Sequence, residues 1–475
     1  MLFHSYEYLF FFLPLTLLGY FGFLYFRKIT LARCFLLAAS LTFYGWFSLH
    51  FLGLFLLSVL FNYTISRLLF RAGRQNHPAA KGWMVFGVCG NLLFLGFFKY
   101  ADFCITAFNT LFQTQHALLA VAMPLAISFY TFQQIGFLAD VYRKKVQPYG
   151  WMDYFLFVSF FPQLISGPIT RHDETMEQLK DPARQCFSAK SCAAGWYQFA
   201  VGLGKKVLIA DTLAQWVNLG YAAESLILPE AWLTTFAYTL QIYFDFSGYT
   251  DMAIGTARMF HIELPVNFDS PYKAVNIQDF WRRWHCTLSR FLRDNLYIPL
   301  GGSQKGMVRT CINSLITFVL CGVWHGAGWT YVLWGLMHGL AIVGWRIFHR
   351  LGGRMPKALG WLCTMLFLNC TFVLFRSPDL ATAKRMFRTL FDVQTLVLPV
   401  EWLELPNILC PDVQFGLPLA ILLGLCLLAV LLFPNSNEMA QNFVPRTESV
   451  VFLALIAAAA IVQLYGVNEF IYFNF

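Results

Sequence analysis

Charge is what this chain has least of. Only 12 % of its 475 residues are Asp, Glu, Lys or Arg, whereas soluble domains carry about twice that fraction. This scarcity argues against a water-soluble globular protein. Together with 58 % hydrophobic residues it also argues against disorder. No Cys-x-x-Cys pair occurs among the 12 cysteines, so zinc-knuckle and thioredoxin-type motifs are excluded, and no metal centre or disulfide framework is expected. No extended Lys/Arg tract and no nucleic-acid module accompany the net charge of +9, so nucleic acid is not expected as a partner. No internal repeat is visible, which weighs against transporter folds built from paired repeats. The N-terminus lacks the basic start and small-residue site of a cleavable signal, and Glu7 precedes its apolar run.

What the chain has in abundance is apolar surface, with a mean hydropathy of +0.56. The expected fold class is an all-α polytopic membrane protein, a single membrane-embedded domain over 1–475. A spanning helix needs about 20 mostly apolar residues. Runs poor in charge fall at 8–26, 34–66, 82–98, 103–139, 193–221, 231–259, 311–325, 327–347, 358–376, 414–433 and 449–467. The run 34–66 holds one long helix or two short ones, with Tyr44-Gly45-Trp46 as a break. The count is about eleven spans, plus re-entrant and interfacial pieces. Residues 154–170 carry Pro162, Gly167 and Pro168, so they predict broken backbone that has to be buried. Residues 376–412 form a polar insert between spans. Basic loops at 67–81, 142–148 and 346–357 are placed on the cytoplasmic side by the positive-inside rule, and membrane lipid is an expected neighbour.

Polar groups at membrane depth are costly and usually face the protein interior, so they are the informative ones. His325 lies in Gly322-Val323-Trp324-His325-Gly326-Ala327-Gly328-Trp329, within a stretch, 310–345, that holds no Asp, Glu, Lys or Arg. An imidazole there can take a proton from a hydroxyl nucleophile; the plainer alternative is a helix-packing histidine. His338, in the same stretch, is expected to serve packing. Residues 279–294, DFWRRWHCTLSRFLRD, predict one amphipathic interfacial helix. Its aromatic face holds Trp281, Trp284 and His285, and its basic face holds Arg282, Arg283, Arg290 and Arg293. That basic face can seat on headgroups or hold the phosphates of an anionic ligand. Asp245 and Asp251 interrupt an apolar helix and are expected in structural ion pairs, with Arg258 or the Arg-rich helix as partners.

RRWHCTLSRFLRDNLYIPLGG followed by GVWHGAGWTYVLWGLMHG resembles the membrane-bound O-acyltransferase family, and specifically its bacterial polysaccharide O-acetyltransferase branch. FPQLISGPI, QIYFDFSGYTDMAIG, the N-terminal LFHSYEYLFFFLPL and the C-terminal EFIYFNF resemble it as well. The resemblance implies a ring of tilted helices around a tunnel, in the bacterial inner membrane. It implies that His325 is the catalytic residue and His285 the second site residue. It also implies acetyl-CoA as a cytoplasmic donor with no resident cofactor, and a separate extracytoplasmic hydrolase-like partner of SGNH type that completes transfer to sugar. Both imidazoles are expected on one cavity near mid-membrane, within about 10 Å of each other, with Trp324 or Trp329 in its wall and Arg282 and Arg290 toward the donor. Two other functions share this composition: a transporter or flippase of a lipid-linked glycan, and a non-catalytic scaffold for a periplasmic acetyltransferase. Neither accounts for the two histidine blocks.

Overall fold

The computed structural model describes residues 1–398, 415–464 and 471. Every regular element among them is a helix. Residues 399–412 of the polar insert lie outside the described residues, as does EFIYFNF apart from Ile471. Before that gap the insert holds the Leu380–Leu390 helix, capped by Asp379, whose side chain accepts the Thr382 N–H.

Six described helices are long and apolar enough to cross a membrane: Tyr8–Tyr25, Leu49–Arg74, Ala79–Phe112, Gly306–His325, Trp329–Arg350 and Lys357–Arg376. Ile29–Gly45, Leu417–Leu432 and Thr447–Gln463 are apolar but shorter. The expected count of about eleven differs for identifiable reasons. The run 193–221 is helical throughout, as Ala189–Gly204, a π-helical stretch Lys205–Ala210 and Asp211–Ala222, but it carries Lys205, Lys206 and Asp211 and is less apolar than the six. The run 231–259 falls within one 32-residue helix, Leu228–Met259, that carries buried carboxylates. The Ala79–Phe112 helix runs through Lys99 and Asp102, where charge had suggested a boundary. Asp102 is used instead to accept the Leu119 and Ala120 N–H groups at 2.7 and 3.0 Å.

The chain divides into two compact units. One comprises Met1–Phe199 and Tyr249–Val266; the other comprises Ala200–Gly248 and Asn267 onward. In the first, the run 34–66 is two helices, broken after Gly45, with Ser48 accepting the Phe51 N–H at the second start. Helices Leu49–Arg74 and Ala79–Phe112 are tied by a reciprocal amide pair: Asn91 Nδ2 donates to Asn62 Oδ1 at 2.6 Å, and Asn62 Nδ2 to Asn91 Oδ1 at 3.0 Å. The broken backbone expected over 154–170 starts later: Trp151–Ser159 is a regular helix, and only the stretch from 160 to 170 is irregular, buried throughout. Ser166 takes a left-handed conformation, φ 58°. Gln163 Nε2 donates to the Phe157 carbonyl at 2.7 Å, and Thr170 Oγ1 donates to Gln163 Oε1 at 2.7 Å. Irregular backbone at this depth is tolerated because protein covers it and fills its hydrogen bonds. An aromatic cluster of Phe3, Tyr8, Phe43 and Phe161 packs beside it.

In the second unit, the ion pair expected for Asp245 exists, but with a different partner. Lys206 Nζ lies 2.9 Å from Asp245 Oδ1 and 2.7 Å from Asp211 Oδ1. All three side chains are buried. Asp245 Oδ2 also accepts the Ile471 N–H at 2.9 Å. Neither Arg258 nor the Arg-rich segment takes this role. Close helix approach makes room for the cluster. A Cβ on Gly248 would stand 2.7 Å from the Gly202 carbonyl oxygen and 3.1 Å from Lys205 Cβ, so only glycine fits there. Asp251, in the first unit, accepts from Gln198 Nε2 at 3.4 Å.

Removing one member of a buried ion pair strands the other charge, at a cost of about 3–5 kcal/mol. Lys206→Met is therefore expected to lower sharply the thermal midpoint of the detergent-solubilised protein. Lys180→Met, which removes a half-exposed partner of Asp153, is expected to change it little. Equal midpoints for the two variants would contradict the assignment.

Candidate active site

His325 is the last residue of the Gly306–His325 helix, not the middle of one. Gly326 and Gly328 are fully extended, and the chain re-enters a helix at Trp329. The two helices meet along small residues. Gly322 and Gly335 face each other so closely that a Cβ on Gly322 would sit 3.0 Å from Gly335 Cα, the kind of contact that lets membrane helices approach through their backbones. This tight hairpin fixes where His325 points. Its Nδ1 lies 2.7 Å from the Cys321 carbonyl oxygen, one turn back. A carbonyl can only accept, so Nδ1 carries the proton and Nε2 the lone pair.

The segment 279–294 is not the single interfacial helix expected. It forms two short helices, Ile277–Arg283 and Cys286–Leu292, hinged at Trp284 and His285. Trp284 is extended, and His285 adopts φ 45°, ψ 52°, a left-handed conformation that costs a non-glycine residue about 1–2 kcal/mol. The Arg-rich helical wheel fails because tertiary contacts override local helix propensity. Asn267, from the loop before these helices, accepts the Cys286 N–H through its backbone carbonyl at 3.0 Å. Its side-chain Oδ1 lies 3.0 Å from His285 Nδ1 and 2.9 Å from Thr287 Oγ1. The hinge turns His285 inward, and its side chain is fully buried.

The structure brings the two candidate histidines onto one indole. Ring centroids lie 6.2 Å apart for His285 and Trp324, and 4.8 Å apart for Trp324 and His325. The imidazoles are therefore separated by no more than those two distances together. Phe246 packs on His285 at 4.9 Å, and Phe375 on His325 at 5.3 Å. Trp329, the other expected wall residue, is 57 % exposed at the start of its helix. The second indole against His325 is Trp334, at 4.9 Å. It lies in the same sequence block, five residues further on, where one and a half helical turns carry it from the helix start to the inner face. His338, expected to serve packing, is buried and accepts the Trp281 indole N–H at 3.2 Å. Arg282 is exposed on the first short helix, and Arg290 is half-buried on the second.

A family model for membrane-bound O-acyltransferases matches residues 140–377, a range that contains both imidazoles, Trp324, Trp334 and Asn267. The chain belongs to the membrane-bound O-acyltransferase family. It is 38 % identical to the peptidoglycan O-acetyltransferase of Helicobacter pylori, over 100 % of this chain and 98 % of that protein. It is 39 % identical to the probable alginate O-acetylase of Pseudomonas aeruginosa, over 83 % of this chain and 76 % of that one. The teichoic acid D-alanyltransferase of Bacillus subtilis matches at 29 % over 52 % of this chain and 65 % of that one. This acyltransferase is thus a multi-pass membrane enzyme, and the resemblance carried by the two histidine blocks extends across the chain.

The hairpin carries a direct test. Gly322→Leu places a side chain against Gly335 and the Tyr331 carbonyl, and overpacking of this kind costs about 1–3 kcal/mol or more. Acyl transfer is expected to be lost and the thermal midpoint to fall. Gly344→Ala, where a Cβ meets open space, is expected to leave both unchanged. A fully active Gly322→Leu enzyme would show that the hairpin does not set the site.

Proposed function

We propose that this membrane-bound O-acyltransferase takes an acetyl group from acetyl-CoA at the cytoplasmic face of the bacterial inner membrane and delivers it for O-acetylation of an extracytoplasmic polysaccharide. The observation that carries this reading is the pair of buried imidazoles packed on Trp324, one of them fixed with its lone pair on Nε2. His325 Nε2 takes the proton of the attacking hydroxyl as its oxygen bonds to the acetyl carbonyl carbon. The carbon–sulfur bond breaks and coenzyme A leaves as thiolate. His285 is the second site residue. The aromatic wall excludes water, which would otherwise hydrolyse the thioester. Arg282 and Arg290 hold donor phosphates, and Trp329 lies on the donor's path. An extracytoplasmic hydrolase-like partner of SGNH type completes transfer to sugar. Because lipid cannot line a polar route, acetyl passes through the protein.

Peptidoglycan is the first acceptor to test, because a relative that matches from end to end is named for it. His325→Ala is expected to leave membrane levels normal by immunoblot and to remove base-labile acetate from purified peptidoglycan. Loss of a general base costs about 10²–10⁴ in rate. Loss of acetate from exopolysaccharide instead would move the acceptor to the alginate type. Acetate retained in both polymers would overturn the catalytic assignment.

A further inference from the structure

His285 stands in a strained conformation, and three hydrogen bonds from neighbouring atoms converge on the residue it leans on. Asn267 is completely buried. Its Oδ1 receives the Thr287 hydroxyl at 2.9 Å and the Thr287 N–H at 3.4 Å, and its backbone carbonyl receives the Cys286 N–H at 3.0 Å. A backbone N–H can only donate, so the side-chain atom facing Thr287 and His285 is the amide oxygen and not its nitrogen. An amide oxygen can only accept. The hydrogen bond at 3.0 Å between it and His285 Nδ1 therefore puts the proton on Nδ1 and the lone pair on Nε2.

We infer that Asn267 is a positioning residue of the acyltransferase: it holds His285 in its left-handed hinge and in the Nδ1–H tautomer, so that Nε2 is the nitrogen presented for proton transfer. This inference rests on the reading that His285 belongs to the site. Two imidazoles from different segments then arrive in the same tautomer by different means. His325 is held by a carbonyl of its own helix, and His285 by a side chain from a separate loop. The second arrangement is the one a substitution can alter without touching the backbone.

Among the described residues, the groups facing His285 include Phe246 from the Leu228–Met259 helix, Trp324 and His325 from the Gly306–His325 helix, and Asn267 itself. Of these His325 is the titratable one. A carboxylate in place of the Asn267 amide would accept from Nδ1–H as well, keep the tautomer, and favour the protonated ring.

The test is release of coenzyme A from acetyl-CoA by the full-length enzyme in detergent, with peptidoglycan fragments supplied as hydroxyl acceptor, for wild type, Asn267→Ala, Asn267→Asp and His285→Ala. Partners that orient an imidazole through its second nitrogen are worth about 10–100-fold in activity at metal sites, and a loss of that order in kcat is expected for Asn267→Ala, with KM for acetyl-CoA nearly unchanged. Asn267→Asp is expected to recover most of kcat, with the acidic limb of its pH profile moved to higher pH. Wild-type kcat in Asn267→Ala alongside an inactive His285→Ala would overturn the inference and leave the proposed function standing. An active His285→Ala would overturn both the role of His285 and this inference. Should Asn267→Ala fail to fold, the Asn267→Asp profile decides: an acidic limb that does not move would also overturn it.

Discussion

A polar side chain in so apolar a chain has to find its partner inside the protein, because lipid offers none. Most of the distinctive geometry here follows from that requirement. Asn62 and Asn91 answer each other across two long helices. Gln163 and Thr170 stitch a broken segment that would otherwise leave backbone groups unfilled. Lys206 draws Asp211 and Asp245 together in the second unit. The same rule acts on the histidines, and there it selects chemistry: whichever ring nitrogen is claimed by a carbonyl or amide oxygen, the other is left with the lone pair.

The hinge at Trp284 and His285 shows how that choice is tied to backbone form. A straight helix through 279–294 would carry His285 on its aromatic flank. Turning it inward requires φ of 45°, and left-handed residues of this kind persist where the surroundings over-determine them. Asn267 supplies that determination through one backbone and one side-chain acceptor. The hairpin at Gly326–Gly328 does the equivalent for His325 with less apparatus, because the Gly322–Gly335 approach already holds both arms.

Much of this was legible in the sequence, and the misses have physical causes. The all-helical membrane class followed from the scarcity of charge. The break near Gly45 and the buried irregular segment at 160–170 followed from turn and proline residues. The two histidine blocks pointed to residues that do share an indole. The hinge was not legible, since every residue of 279–294 tolerates a helix and the atom that breaks it sits on a loop residue, Asn267. Lys206 was hidden because a lysine within an apolar run ordinarily extends its stem toward the interface, whereas here two carboxylates hold it inside. Trp334 was passed over for Trp329 because both lie in one tryptophan-rich block, and only the true helix start decides which of them faces inward.

The Lys206–Asp245 pair also bears on how the protein is made. Asp245 follows Lys206 by 39 residues, so at about 5–20 residues per second the ribosome delivers it some 2–8 s later. During that interval an ammonium group stands in a nascent helix with only the nearby Asp211 to answer it. A lysine or aspartate near the middle of an inserting helix costs about 2.5–3.5 kcal/mol. Pairing with Asp245 therefore offsets that cost only once Leu228–Met259 has been made.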